Sequence, residues 1–436
     1  MSTGITPSTD AAAVKQGWKD FIVPAAAPYY KDPLVLVEGN GSLVTDAEGH
    51  EYLDFFCGIL TTGIGHCHPE VVERVREQVG RLGHTSTLYL TEPIVNAARR
   101  LASIAPGGLR KTFFTNSGTE AVETAIAMAR MFTGRDEIIT LRYAYSGRSA
   151  LGTSLTAMSG WTPLGSSVPY VKHALSPYPY RTPFEGTPEQ LAEKYARDVE
   201  EVIATCTNGK PAAFFAETIQ GAGGYIVPPP GYFSRVAEII RKAGGIFIVD
   251  EVQAGFARTG GKWFGIEHWG VEPDIMIMAK TIANGLPLGA TIARDDIAAA
   301  WKGKTISTFG GNAISTTAMD ATIEVMQRED VRTRASERGK QLRAGLDKLA
   351  QRYEWIGEVR GMGLMQALEL VEDRKSKTPS GARAGALLEA AREERLLIGS
   401  GGLSGHVIRI APQLLMTEAE IADGLERLEK ACRRVK

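Results

Sequence analysis

Cysteine is scarce in this chain. Only 4 of its 436 residues are cysteine, and Cys57, Cys67, Cys206 and Cys432 form no close pair and no CxxC. That argues against a disulfide scaffold and fits a reduced compartment, the cytoplasm. Long apolar runs are missing too. No stretch approaches the roughly 20 residues that span a bilayer. The opening MSTGITPSTDAAAVKQGW has no apolar core of signal-peptide length, so neither a membrane nor export is expected. Net charge is nearly absent: 49 basic against 50 acidic residues leave -1. With no dense Lys/Arg stripe, no nucleic-acid surface is expected. There is no internal repeat.

What the chain has in quantity is glycine, 48 residues, which suits many tight strand-to-helix loops. The length implies two or three subdomains. The segment up to Pro33 reads as loosely structured. LVLVEGNGSLVTDAEGHEYLD then alternates around Gly and Asn-Gly turns, as short strands do. From about residue 70 the pattern becomes helices alternating with apolar runs: KTFFT, DEIITL, AAFFAE, GIFIVDE and DIMIMAK. Continuous apolar runs are strands buried on both faces. The fold class expected is therefore α/β, a mostly parallel, helix-covered sheet. Residues 159–188, rich in Pro, Tyr and Ser, read as a long irregular loop. After about residue 315 come helices, two strands in EWIGEVRGMGLMQALEL, a helix, the strand HVIRIAP and a final amphipathic helix. That is a smaller α+β domain, completed by the N-terminal strands. The division expected is 1–60 as a segment contributing to the small domain, 61–310 as the large domain and 311–436 as the C-terminal small domain.

In a parallel sheet, ligands bind beyond the carboxyl ends of the strands. Glu217, Asp250, Glu251 and Lys280 all fall there. Lys280 ends an apolar run in PDIMIMAKTIANG. It reads either as a surface lysine whose stem snorkels along apolar neighbours or as an amine held in a dry site to form a Schiff base. Asp250 could be a metal ligand, a general base, the partner of a cationic ring or a paired structural carboxylate. In FFTNSGTEAVETAIAMA a strand ends, Asn116 to Thr119 turn, and a helix follows with capping-box spacing between Ser117 and Glu120. This is either an ordinary capped helix or a phosphate seat at a helix N-terminus. In GHCHP, the residues His66, Cys67 and His68 alternate in direction, which spoils a shared metal site, and Pro69 starts a helix.

A phosphate seat, a carboxylate for a pyridine nitrogen and a lysine for an aldehyde together describe pyridoxal 5'-phosphate. With YLDFFCGILTTGIGHCHPEV, HTSTLYL, DEVQAGFARTG, TFGGN and VIRIAP, the chain resembles a class III (omega) aminotransferase over nearly its whole length. It is most like the alanine–glyoxylate aminotransferase 2-like branch. The resemblance implies a fold type I pyridoxal-phosphate enzyme. In it Lys280 forms the Schiff base and moves the substrate proton. Asp250 pairs with the ring nitrogen. Val252 and Tyr145 cover the two ring faces, Gln253 bonds the phenolic oxygen, and Glu217 belongs to the cofactor site. Ser117, Gly118 and Thr119 seat the phosphate, and Thr308 reaches it from the neighbouring subunit, which implies a homodimer. Arg409, a buried arginine that needs a carboxylate, is either in a structural ion pair or, as the resemblance implies, grips the substrate carboxylate. No metal is implied.

Three positions depart from the family pattern. The usual Tyr-His-Gly is Tyr145-Ser146-Gly147, and the usual EPIQG is ETIQG, with Thr218 for proline. The glutamate that masks the carboxylate arginine in glutamate-using relatives is replaced by Ala222. The function expected is amino transfer from an amino acid, ω-amino acid or amine to pyruvate or glyoxylate by a ping-pong route. The rival on the same scaffold is a racemase, epimerase or aminomutase. A nucleotide-binding or non-catalytic α/β protein is a rival of another class, and the SGT turn lacks the GxGxxG such a dinucleotide seat needs.

Overall fold

Alternation of side chains along five buried strands explains the central sheet. In Ala213–Glu217, Ile246–Asp250 and Ile275–Met278, the residues Phe214, Phe247, Val249, Met276 and Met278 enter one core. Phe215, Ile246, Ile248, Ile275 and Ile277 enter a second core on the opposite face. A strand apolar on both faces is stable only when both are covered, and helices such as Gly118–Thr133 and Pro188–Cys206 cover them. The structure is a computed structural model that describes residues 9–26 and 28–435. Residues 1–8, within the stretch read for a signal peptide, lie outside the described residues.

The sheet has seven strands, in the order Lys111–Thr115, Gly289–Ala293, Ile275–Met278, Ile246–Asp250, Ala213–Glu217, Ile138–Leu141, Val171–Ala174. Gly289–Ala293 is antiparallel to both its neighbours, and the other pairings are parallel. Register does the rest: Glu217 pairs with Asp250, and Asp250 with Ile277. Glu217, Asp250 and Lys280 therefore emerge at one edge.

Two smaller sheets flank this layer. Ile356–Met362, Met365–Leu370, Val407–Ile410 and Gly399–Gly401 form an antiparallel sheet that carries Arg409. Leu36–Asn40, Leu43–Asp46 and Glu51–Asp54 form another, and the C-terminal strand Leu396–Leu397 joins it in parallel beside Leu53 and Asp54. Long helices Ala313–Arg328 and Val331–Arg352 connect large and small parts.

Three sequence expectations need correction. The segment before Pro33 contains a helix, Ala11–Phe21, capped by Asp10 accepting from Ala13 N–H. None of its residues is buried, so periodicity had little apolar contrast to work with. The stretch 159–188 is not all irregular: Val171–Ala174 is the sheet's edge strand, and Lys172 and His173 within it suit an edge rather than a centre. The helix expected between the apolar runs GIFIVDE and DIMIMAK, from the alternation of helices and runs, is not found among the described residues: the connection from Asp250 to Lys280 holds a 3-10 turn, Gly265–Trp269.

Candidate active site

The carboxyl edge of the sheet opens on a cavity of about 320 Å3. Lys280, Asp250, Glu217, Tyr145, Gln253 and the turn at Ser117 all border it. Chain geometry brings them there. Lys280 follows the strand at φ +50°, in the left-handed region, where a non-glycine residue is strained and strain gathers at functional sites. Its Nζ makes no hydrogen bond and no ion pair among the described residues. Burial pushes its amine below the ordinary lysine value; the charges of Asp250 and Glu217 oppose this, and Arg409 adds to it.

Asp250 accepts the Val252 N–H at 2.9 Å through one oxygen, and the other has no partner among the described residues. Burial pushes this carboxyl upward. Glu217 is pushed upward as well, first by burial and then by Asp250 beside it. Glu217 accepts the Tyr145 N–H at 3.0 Å and the Gly221 N–H at 2.7 Å. It thus ties together the two loops that wall the cavity. Glu251, its side chain on the other side of the strand, accepts from Thr218 Oγ1 at 2.6 Å and from the Gly265 and Ile266 N–H groups. It shapes the 3-10 turn and does not border the cavity.

At the turn, Ser117 Oγ accepts the Glu120 N–H at 3.3 Å, and the Glu120 carboxylate reaches back to Asn116 N–H at 2.7 Å. The Gly118 and Thr119 N–H groups stay free at the start of a 16-residue helix, the arrangement that suits an anion. Gly147, at φ +119°, lets the Tyr145 loop cross Thr119; a Cβ there would meet Thr119 Oγ1 at 2.5 Å. Val252 and Tyr145 both line the cavity, and Tyr145 rests edge-on against Trp161, centroids 5.4 Å apart. Gln253 lies under Gly221, where a Cβ would meet its carboxamide at 2.3 Å, and its Oε1 is buried without a partner.

Arg409 stands just beyond this lining. It is 7% exposed, yet it has no acidic partner among the described residues, so the structural ion pair does not occur. Nε donates to Ser400 O at 2.8 Å and Nη1 to Gly221 O at 3.4 Å. The guanidinium lies over Phe56 at 4.9 Å and Tyr225 at 5.7 Å. Thr308 is the residue the single chain does not bring in. It is exposed and outside its own cavity. His66 bonds Asp54 at 2.8 Å, and Pro69 does begin a helix, Pro69–Arg81. Sequence reasoning named Asn116 only as part of the turn and passed over Thr61 and Leu286 to Leu288, all of which border the cavity. The signal available was adjacency: Asn116 precedes the SGT turn, and NGLPLG follows Lys280 within a few residues.

The donor set suits pyridoxal phosphate: free helix N–H groups for a phosphate, a partnerless oxygen on the buried residue Asp250 for a ring nitrogen, an orphaned carboxamide and an unpaired amine.

The profile of the family described as "Aminotransferase class-III" matches residues 25–432. The chain is 43% identical over 413 residues to an Arabidopsis thaliana protein named alanine–glyoxylate aminotransferase 2 homolog 2, mitochondrial, covering 94% of this chain and 85% of that one. Among solved structures it is similar to a thermostable (S)-enantioselective omega-transaminase from Thermomicrobium roseum, with TM-score 0.91 and 32% identity over 98% of this chain and 99% of the other. An amine transaminase from an uncultivated Pseudomonas species, in its PLP-bound form, matches with TM-score 0.89 and 32% identity over 95% and 98%.

Proposed function

The chain belongs to the class III aminotransferases, and from that premise we propose that it moves an amino group from an amino acid, ω-amino acid or amine to pyruvate or glyoxylate, in two alternating half-reactions. The family is pyridoxal-phosphate dependent, and that cofactor supplies the electron sink for charge developing at the substrate carbon. The residues of this chain do the rest. Lys280 Nζ anchors the cofactor and, once released, takes the proton from the substrate carbon. Burial lowers the pKa of that amine, which favours the neutral form that can do so. The free oxygen of Asp250 holds a proton on the ring nitrogen, Gln253 meets the phenolic oxygen, and Tyr145 and Val252 confine the ring. Ser117, Gly118 and Thr119 hold the phosphate, and Glu217 keeps the two walls in place. Thr308 completes the phosphate seat from a second copy.

The observation that carries the acceptor is Arg409, a buried cation without an acidic partner beside Ala222. An unpaired buried cation is costly, and a substrate carboxylate relieves it. A small 2-oxo acid does this with its only carboxylate. 2-Oxoglutarate must place a second charge, and the nearest cation by sequence, Arg148, is exposed. With one common donor, kcat/KM for pyruvate and glyoxylate should exceed that for 2-oxoglutarate. Preference for 2-oxoglutarate by about tenfold, about 1.4 kcal/mol, would overturn the assignment.

The same reading includes a homodimer with the active site at its interface. Support comes from Ile306 and Phe309, apolar and exposed on either side of Thr308 in the chain, with Phe309 against His84 at 4.9 Å. It includes the domain division 1–60, 61–310 and 311–436, supported by the pairing of Leu396–Leu397 with the N-terminal strands. It also includes a cytoplasmic setting, supported by four free thiols. Among the described residues no helix is long and apolar enough to cross a membrane.

A further inference from the structure

GHCHP holds no metal role in the reading above, yet its first histidine makes a built contact. His66 Nε2 bonds Asp54 Oδ2 at 2.8 Å, and Asp54 is 4% exposed. The other oxygen of Asp54 accepts two backbone N–H groups, from Phe56 at 2.8 Å and Cys57 at 2.7 Å. His66 is itself fixed to the N-terminal hairpin, exchanging backbone bonds with Gly41 at 2.8 and 2.9 Å.

The backbone that Asp54 grips is unusual. Cys57, Gly58, Ile59 and Leu60 have φ of 54°, 57°, 65° and 59°. That is one turn of left-handed helix, closed by Leu60 N–H to Phe56 O at 2.9 Å and Thr61 N–H to Cys57 O at 2.7 Å. Only one of the four is glycine, and L-residues resist this conformation. Something must hold it, and the two N–H groups at its start are held by Asp54.

Both ends of the turn reach the site. At its start, the Phe56 ring lies under the Arg409 guanidinium at 4.9 Å. At its end, Leu60 O accepts from Thr281 Oγ1 at 2.5 Å, next to Lys280, and Thr61 borders the cavity. Gly63 packs where a Cβ would meet Thr281 Cγ2 at 2.4 Å. We infer that the Asp54–His66 pair is a positioning pair, which holds a strained left-handed turn so that the carboxylate-binding Arg409 and the amine of Lys280 keep a fixed relation. This rests on the roles proposed above for those two residues.

The test measures kcat and KM for pyruvate per cofactor-loaded site, in the holoenzyme, well below each variant's Tm. His66→Ala leaves Asp54 without its orienting partner and should raise the pyruvate KM by about tenfold, with kcat falling as well. Asp54→Asn should stay within about twofold, because its amide oxygen still accepts both N–H groups and its amide nitrogen donates to His66. Ile59 is 45% exposed, and Ile59→Gly suits a left-handed position. Combined with His66→Ala it should restore the parent KM, since the turn no longer needs holding. If His66→Ala does not fold alone, this double variant carries the test, as the more stable of the two. A lowered Tm with unchanged kcat and KM in His66→Ala would overturn the positioning role, as would a double variant that recovers nothing. A parent enzyme that fails to use pyruvate would instead reject the acceptor assignment.

Discussion

Lys280 occupies a left-handed backbone position, which costs a non-glycine residue about 1 to 2 kcal/mol, and its amine has no partner among the described residues. A buried amine with no partner and a lowered pKa is what a Schiff-base anchor needs. Borohydride reduction of the holoenzyme followed by peptide mapping should place the cofactor on Lys280 alone, and Lys280→Ala should carry none and lose transamination. Label on another lysine would contradict the assignment. Much of this was legible, since a lysine ending an apolar strand is conspicuous. Asp250 and Glu251 were harder to separate: both close the same run, and only the direction of each side chain assigns one to the cavity and the other to the fold. Burial pushes the Glu251 carboxyl up to about 7 from an ordinary 4.5. Its folded value lies above its unfolded one, so its stabilising effect is complete below about pH 4.5 and is lost as pH rises through about 7. The span corresponds to about 3 kcal/mol. Thermal melts of the parent should therefore lose more stability between pH 5 and 8 than melts of Glu251→Gln, whose amide does not titrate and whose oxygen can still accept from Ile266 N–H and Thr218 Oγ1, although the Gly265 N–H loses its acceptor. Parallel pH profiles would show that Glu251 titrates alike in both states.

Strands announced themselves in the sequence wherever both faces were apolar, and the central sheet was read in outline for that reason. What escaped were elements set by long-range partners. Val171–Ala174 is a strand because Ile138–Leu141 pairs with it, not because its own residues demand it. The left-handed turn at Cys57–Leu60 contradicts the propensities of Ile59 and Leu60, and no local pattern foretells it. The charged residues inside the C-terminal strands are a third case. Glu369 is fully buried and meets Arg360, Tyr178, Arg181 at 2.5 Å and His406 at 3.5 Å. Arg360 also donates to Gly224 O at 2.8 Å, in the QGAGG loop. This network joins the Arg409 sheet to the loop whose Gly221 carbonyl Arg409 touches. Glu369→Gln would leave Arg360 buried with Glu358 alone at 2.7 Å. A loss of about 3 kcal/mol is expected, read as a lower denaturant midpoint at unchanged m-value. A loss below about 1 kcal/mol would mean that the network contributes little beyond polar satisfaction.

Over the whole molecule, the cavity is lined by the large part, with Arg409 of the small part just beyond the lining, and Ile306, Thr308 and Phe309 are left exposed. The sequence conveyed the family and the location of the chemistry. It could not convey whether a second copy covers that surface, because an interface is written in shape rather than in local pattern. In the proposed function the amino group rests on the enzyme between donor and acceptor, with one cavity serving both substrates in turn. The direct measurement mixes holoenzyme with amino donor alone and counts the oxo product per active site. About one equivalent per site is expected, then no further product until pyruvate is added, when turnover resumes and alanine accumulates. Continuous turnover of the donor with no acceptor present would contradict it and identify a racemase, epimerase or aminomutase in its place.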